Sequence, residues 1–380
     1  MKHRGVPILR LPYTEEEMDF IKNGIADVLK SGYLTMGVKV AQFEKAFADF
    51  TGAKYAIATS NGTCSLEIIL RAIGITGKTV IVPSNTMMAS PVSVIHGGGR
   101  VIFADCQKEN LQLDPQDLKR KIRSDTKAVM LVHIGGIISP ALNEIKEICD
   151  RNGLVLIEDA AHAHGATIDN RAAGTLGVAG SFSFYPTKVM TTAEGGMITT
   201  DDDDIYHKAL SLRDHGRASD NPNVTIELGY NWRFSELHAV LGLQQMMKAK
   251  AILADRRRIA RLYDEKLEGV QGIRKVRIPS NIASSYYKYI LMLEDGIDKA
   301  RVKKLLKERY DVSLTGEVYS NPCHSQPVFN KYPEMMANNP SDTFPNTEYV
   351  AARHICLPLY PGLTDEEVEY VVESLKRVLA

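Results

Sequence analysis

Lys188 stands in the stretch Ser181 to Gly196, SFSFYPTKVMTTAEGG, between two segments of strand composition. Its neighbours Pro186, Thr187, Thr191 and Thr192 are poor helix formers and no run of charge surrounds it, so a polar-lined loop is expected. A lysine withdrawn from water loses its proton more readily, and the neutral amine is the nucleophile that condenses with an aldehyde to form a Schiff base. Taken alone, the residue reads as an ordinary loop lysine. The weight falls on what the rest of the chain places around it.

Two other stretches carry matching chemistry. In Leu154 to Gly165, LVLIEDAAHAHG, an apolar run predicts a buried parallel strand with Glu158 and Asp159 at its carboxyl end, the edge where open α/β sheets bind ligands. An acid there can partner a protonated ring nitrogen; as an alternative, Asp159 caps a following helix. In Ala53 to Gly74 a short strand runs through Ser60, Asn61, Gly62 and Thr63 into a helix with Leu66, Ile69, Leu70 and Ile73 on one side. Amides at such a helix start suit a phosphate, and the Ser183 hydroxyl could join them; the same residues also read simply as a turn and cap. Neither a Gly-x-x-x-x-Gly-Lys loop nor a Gly-x-Gly-x-x-Gly turn occurs, which removes the common nucleotide motifs from consideration.

The ordered set NGT near 61, EDAAHAHGA from Glu158, SFSFYPTK with EGG after it, GYNWRFSELHAVLGL from Gly229 and LPLYPGLTDEEV from Leu357 resembles the DegT/DnrJ/EryC1/StrS family of pyridoxal phosphate aminotransferases. The resemblance covers nearly the whole chain. It implies a fold type I α/β transferase, with a large domain built on a mostly parallel, seven-stranded type of sheet and a small α+β C-terminal domain. It further implies Lys188 as the Schiff-base lysine, Asp159 as the ring-nitrogen partner, and His162 beside them. Gly62, Thr63, Cys64 and Ser183 become the phosphate cradle, Met87 a cover for the ring, and Asn231 a phosphate contact reaching across a homodimer. Glu194, Arg233, Tyr319 and His324 are the candidate substrate contacts. The implied reaction moves an amino group from an amino acid, glutamate foremost, to the keto group of a nucleotide-linked deoxy sugar.

The chain departs from the family pattern in three places. Met87 stands where an aromatic ring usually follows the Thr of PSNT, and a polarizable thioether can still cover a ring face. His162 replaces a common Gln, and Val189 to Thr191 follow the lysine where sugar enzymes often have Asn. HIGGIISPAL, from His133, lacks the tyrosine usual there. The second departure resembles the branch that aminates cyclitols such as inososes or makes aminohydroxybenzoate, which is the alternative substrate reading. A related dehydratase branch carries His at the lysine position, against which Lys188 speaks. A noncatalytic, cofactor-binding regulator is the alternative of a different class, expected to have lost the lysine or the acid.

Composition bounds the remainder. With 380 residues, 44% hydrophobic, there is room for a large core, and a formal net charge of zero argues against nucleic acid or an anionic membrane surface as a partner. Five scattered cysteines without a Cys-x-x-Cys pair indicate neither a disulfide framework nor a metal site. No segment has the length of a membrane span or the form of a signal peptide, so a cytoplasmic protein is expected.

The elements that must position these groups follow from periodicity. Thr14 with Glu17 opens a first helix that Gly32 stops, and a second fits Val40 to Phe50. Strands and helices then alternate from Tyr55 to the Leu154 strand, which means crossovers and a parallel sheet. Asp201 to Asp204 reads as a solvated helix start. Arg213 to Arg233 reads as an irregular stretch, which the family resemblance places near a dimer interface over the active site, its Arg213, His215, Arg217 and Arg233 suiting an anion or simply water. Ser235 caps a long helix to about Leu267, with Leu237, Val240, Leu241 and Leu243 as core candidates and Lys248 to Arg261 as an exposed crossing. Residues 1–250 are expected to form an N-terminal arm and the large cofactor domain. Residues 251–380 supply the connecting helix and the small domain, which begins near Gly269.

Overall fold

A computed structural model of the chain describes residues 5–380. Two helices, α1 (Glu15–Ser31) and α2 (Val38–Thr51), precede the alternating region: β1 (Tyr55–Thr59), α3 (Gly62–Ala72), β2 (Thr79–Pro83), α4 (Ala89–His96), β3 (Arg100–Ala104), α5 (Pro115–Lys121), β4 (Thr126–Val132), α6 (Leu142–Arg151) and β5 (Val155–Asp159). The apolar runs read from the sequence are these strands, because a strand covered on both faces by helices needs apolar residues on both. Thr14 and Glu17 make the reciprocal capping box, and Gly32 closes α1 at φ 73°.

The short β6 (Thr167–Ile168) and β7 (Arg171–Ala172) lead to β8 (Ala179–Ser183) and β9 (Gly196–Thr200), the strands on either side of Lys188. The large sheet has the order β1-β9-β8-β5-β4-β2-β3. Every neighbouring pair is parallel except those of β9, which runs against both β1 and β8. The carboxyl ends of β1, β2, β4, β5 and β8 therefore share one edge, and Ser183 faces Gly196 in the last register pair of the β8–β9 hairpin. The lysine loop closes that hairpin over the binding edge.

Asp202 caps α7 (Asp203–Arg213), so the acidic run is a helix start as read. Ser235 caps α8 (Glu236–Lys266), where two expectations change. Of the four proposed core residues only Val240 is buried; Ala239, Gly242, Gln244 and Gln245 take the buried positions. The Phe43 ring fills the space beside Gly242, where a Cβ would lie 2.8 Å from it. The supposed exposed crossing is also buried at Ile252, Leu253, Ile259 and Ala260, and Arg256 is only 2% exposed. Its guanidinium donates to the carbonyl oxygens of Tyr286 and Leu359. Thus α8 runs out of the first apolar core, at Ala249, Ile252 and Leu253, into a second at Ile259, Ala260, Tyr263 and Leu267.

The second core lies under a sheet of β10 (Ile273–Lys275), β12 (Tyr289–Leu293) and β13 (His354–Leu357), between α9 (Lys299–Tyr310) and α12 (Asp365–Leu379). β11 (Ile282–Ala283) instead joins β6 and β7. Between α9 and β13 the chain returns to the large sheet through α10 (Pro327–Lys331) and α11 (Pro345–Arg353). Phe329 meets Phe103 edge to face at 5.2 Å, and Thr347 hydrogen-bonds Asp105. This return carries residues 316–319 over the binding edge.

Candidate functional site

The lysine loop is held by its own backbone. Phe184 N–H donates to Gly195 O at 2.8 Å, Thr192 N–H to Phe184 O at 3.0 Å, and Lys188 N–H to Tyr185 O at 2.9 Å. Behind it, Phe184 packs on Phe43 and Phe47 at 5.2 and 5.4 Å, which ties the loop to α2. Lys188 is 7% exposed, and burial pulls its ammonium down to about 8, with Asp159 opposing and Lys288 adding to the shift.

Asp159 ends β5 as expected. Ser90 donates to its Oδ2 at 2.7 Å, with Thr86 hydrogen-bonded to Ser90 at 2.8 Å, and Ala161 N–H reaches Oδ1 at 3.2 Å. The last bond is a capping contact without a helix, since residues 160–165 form turns. Glu158 points to the opposite side. It accepts from the His133 ring at 2.8 Å and from the amides of Gly174, Leu176 and Gly177. Burial raises its pKa, and these bonds more than offset that, leaving the carboxyl below its usual range. It is a fastener for the 174–177 turn.

His162 is buried, its ring stacked on Tyr287 at 4.1 Å, with the Tyr319 hydroxyl 3.2 Å from Nε2. Burial, assisted by Lys188 and Lys288, keeps it neutral well below its ordinary range. At the other end, Asn61 caps α3 through Cys64 N–H at 3.0 Å, which leaves the Gly62 and Thr63 amides beside the cavity without that cap. A Cβ on Gly62 would come within 2.9 Å of the Ser183 Cβ, so only glycine lets strand and helix approach here. Burial pushes the Cys64 thiol up, and it accepts from the Ser60 hydroxyl at 3.4 Å.

These groups line one cavity of about 950 Å³. It brings together Gly62, Thr63, Cys64, Met87, Asp159, His162, Ser183, Lys188, Glu194 and Tyr319. Three candidates lie elsewhere in this chain. Arg233 is engaged by Asp214 at 2.6 Å, as Arg213 is by Glu44 and Arg217 by the same Asp214, so each arginine of the 213–233 stretch already has a carboxylate partner. His324 is hydrogen-bonded to Ser84 at 2.7 Å and stacked on Phe344 at 4.2 Å, and it is not among the residues lining the cavity. Asn231 is exposed and bridges Asp214. Sequence reasoning missed Ser90, Tyr287 and Lys288. Tyr287 and Lys288 sit in the run SSYYKYILML, where two residues break the apolar pattern just before β12. No comparable signal marks Ser90.

The residues present fit pyridoxal phosphate: uncapped amides and a hydroxyl for its phosphate, a carboxylate for its ring nitrogen, and a lysine drawn toward its neutral form in the same cavity. Fold and site together define a pyridoxal phosphate-dependent aminotransferase. The chain belongs to the DegT/DnrJ/EryC1/StrS aminotransferase family, whose model matches residues 15–376. It is 33% identical to a GDP-perosamine synthase of Vibrio cholerae over 92% of this chain and 94% of that protein. It is likewise 33% identical to the spore coat polysaccharide biosynthesis protein SpsC of Bacillus subtilis, covering 93% of each. The crystal structure of DesI in the presence of its TDP-sugar product superposes with a TM-score of 0.89 at 29% identity, covering 99% of this chain and 93% of that one. No helix among the described residues is long and apolar enough to cross a membrane.

Proposed function

We propose that the protein transfers an amino group from glutamate to the keto group of a nucleotide-linked deoxy sugar. The observation that carries this reading is the buried Lys188, drawn down to about 8, in one large cavity with Asp159 and the Gly62–Thr63 amides. Pyridoxal phosphate, when bound, supplies an aldehyde for amines and a ring that takes up electrons. Lys188 serves as the base that removes a proton from the donor carbon and later returns one. Asp159, fixed by Ser90 and Ala161, would hold a proton on the ring nitrogen of the bound cofactor. Neutral His162, between Tyr287 and Tyr319, forms a wall that stays uncharged throughout. The relatives named above support a nucleotide sugar as the acceptor. A cyclitol acceptor is the second reading, favoured by His162 and by Val189 directly after the lysine.

The working unit in this proposal is a homodimer. Leu29, Tyr33, Leu34 and Val38, between and on α1 and α2, and Met247 on the adjoining α8 leave large apolar surface exposed, as expected of a face that a second copy covers. Asn231 then serves the cofactor phosphate of the partner. The test is the visible absorption spectrum of the purified protein before and after glutamate, followed by nucleotide-linked keto sugars and inososes. Glutamate is expected to bleach the aldehyde form, and one keto sugar to restore it. No response to glutamate would overturn the reading, and restoration by an inosose alone would move it to cyclitols.

A further inference from the structure

Among the described residues, two lysines and no arginine line the cavity, Lys188 and Lys288. Lys288 precedes β12, and its backbone N–H is pinned to Gly135 O at 3.2 Å. Its ammonium lies 5.0 Å from the centre of the Tyr287 ring, the same ring that Lys188 meets at 5.1 Å. Opposite it stands Gly316 at φ +81°, where a Cβ would press on the ammonium from 3.2 Å. Among the described residues, no hydrogen bond or ion pair takes it. Glu317, the acid that acts on it, is engaged by Lys303; of the other acids lining the cavity, Asp159 is held by Ser90 and Ala161 and Glu67 by Arg71, while Glu194 is exposed and makes no ion pair with Lys288.

A half-buried ammonium without a counter-ion is costly, and a ring face compensates it only in part. The arginines of the 213–233 stretch, which the sequence offered for an anion, are already paired. We infer that Lys288 is the anion-binding and specificity residue of the cavity, gripping carboxylate or phosphate oxygens of a substrate that reacts at Lys188. The anion has two sources, the carboxylate of the amino donor or the phosphates of the acceptor. This inference rests on the aminotransfer reading above.

The test is calorimetric binding to the holoenzyme of glutarate, as the donor carboxylate without its amine, and of GDP and dTDP, as acceptor phosphates. Lys288→Gln is expected to weaken one of these two classes about tenfold or more, while Lys288→Arg stays within about threefold of the wild type, since charge-assisted bonds are the strong ones. The class that weakens identifies the anion. Unchanged binding of all probes to Lys288→Gln, or no binding of any probe to the wild type, overturns the inference. Should the Gln variant lose its cofactor absorbance, Lys288→Met, which keeps an apolar stem, carries the same test. The response of the wild-type spectrum to glutamate does not depend on this comparison, so a failure of the aminotransfer reading is recognised separately.

Discussion

Lys188 has to be neutral to attack an aldehyde and protonated to return a proton, and a solvent lysine near 10.5 does the first poorly. Burial draws it to about 8, with Lys288 reinforcing and Asp159 opposing. The charged form is the disfavoured one, so the neutral fraction grows as pH rises through that value. Apo-protein is therefore expected to take up pyridoxal phosphate about tenfold faster per pH unit below about pH 8 and to level off above it. Stopped-flow absorbance reads this directly. A rate that keeps climbing toward pH 10 would mean that the amine behaves as one in water. That Lys188 and Asp159 are candidates for a reactive pair was legible from the ordered motifs around them, whereas residue type and position alone left each with an ordinary structural reading. Ser90, which orients Asp159, carries no such mark: a serine in an apolar helix reads alike whether it faces core or site.

The elements that support the loop depend on a contact of another kind. Glu236, 3% exposed at the start of α8, accepts from the amides of Gly37, Lys39 and Val40 at 3.0, 2.9 and 2.7 Å. One carboxylate thus satisfies three of the orphan donors at the start of α2, the helix whose Phe43 and Phe47 back the lysine loop. Glu236→Ala is expected to destabilise the protein by about 2–4 kcal/mol in urea unfolding, and Glu236→Gln, which keeps one acceptor oxygen, by about half as much. Equal stability of Ala variant and wild type would show that the α2 amides find other partners. The capping boxes Thr14–Glu17 and Thr364–Glu367 could be read from sequence because their partners are three residues apart. Glu236 could not, since its donors lie almost two hundred residues upstream.

For the whole molecule, alternation of apolar runs and amphipathic stretches was enough to predict a parallel sheet, because crossover helices must cover both its faces. Strand order and the reversal of β9 are properties of pairing partners, which single-segment periodicity does not encode. Arg256 was misread for the same reason: a charged residue looks exposed until carbonyl oxygens from two distant segments surround it. The largest feature that a single chain leaves open is Asn231, exposed here yet proposed to reach the partner's phosphate. Mixing distinguishes this role from one within its own chain. Asn231→Asp sets a carboxylate against a phosphate, and Lys188→Ala removes the nucleophile, so each variant alone is expected to be inactive. Random reassortment of equal amounts pairs half the chains as mixed dimers, each with one site built from an intact Lys188 and an intact Asn231. About a quarter of wild-type activity should return if sites are shared across a two-fold dimer. If the mixture stays as inactive as its components, Asn231 serves its own subunit, and the shared-site dimer fails.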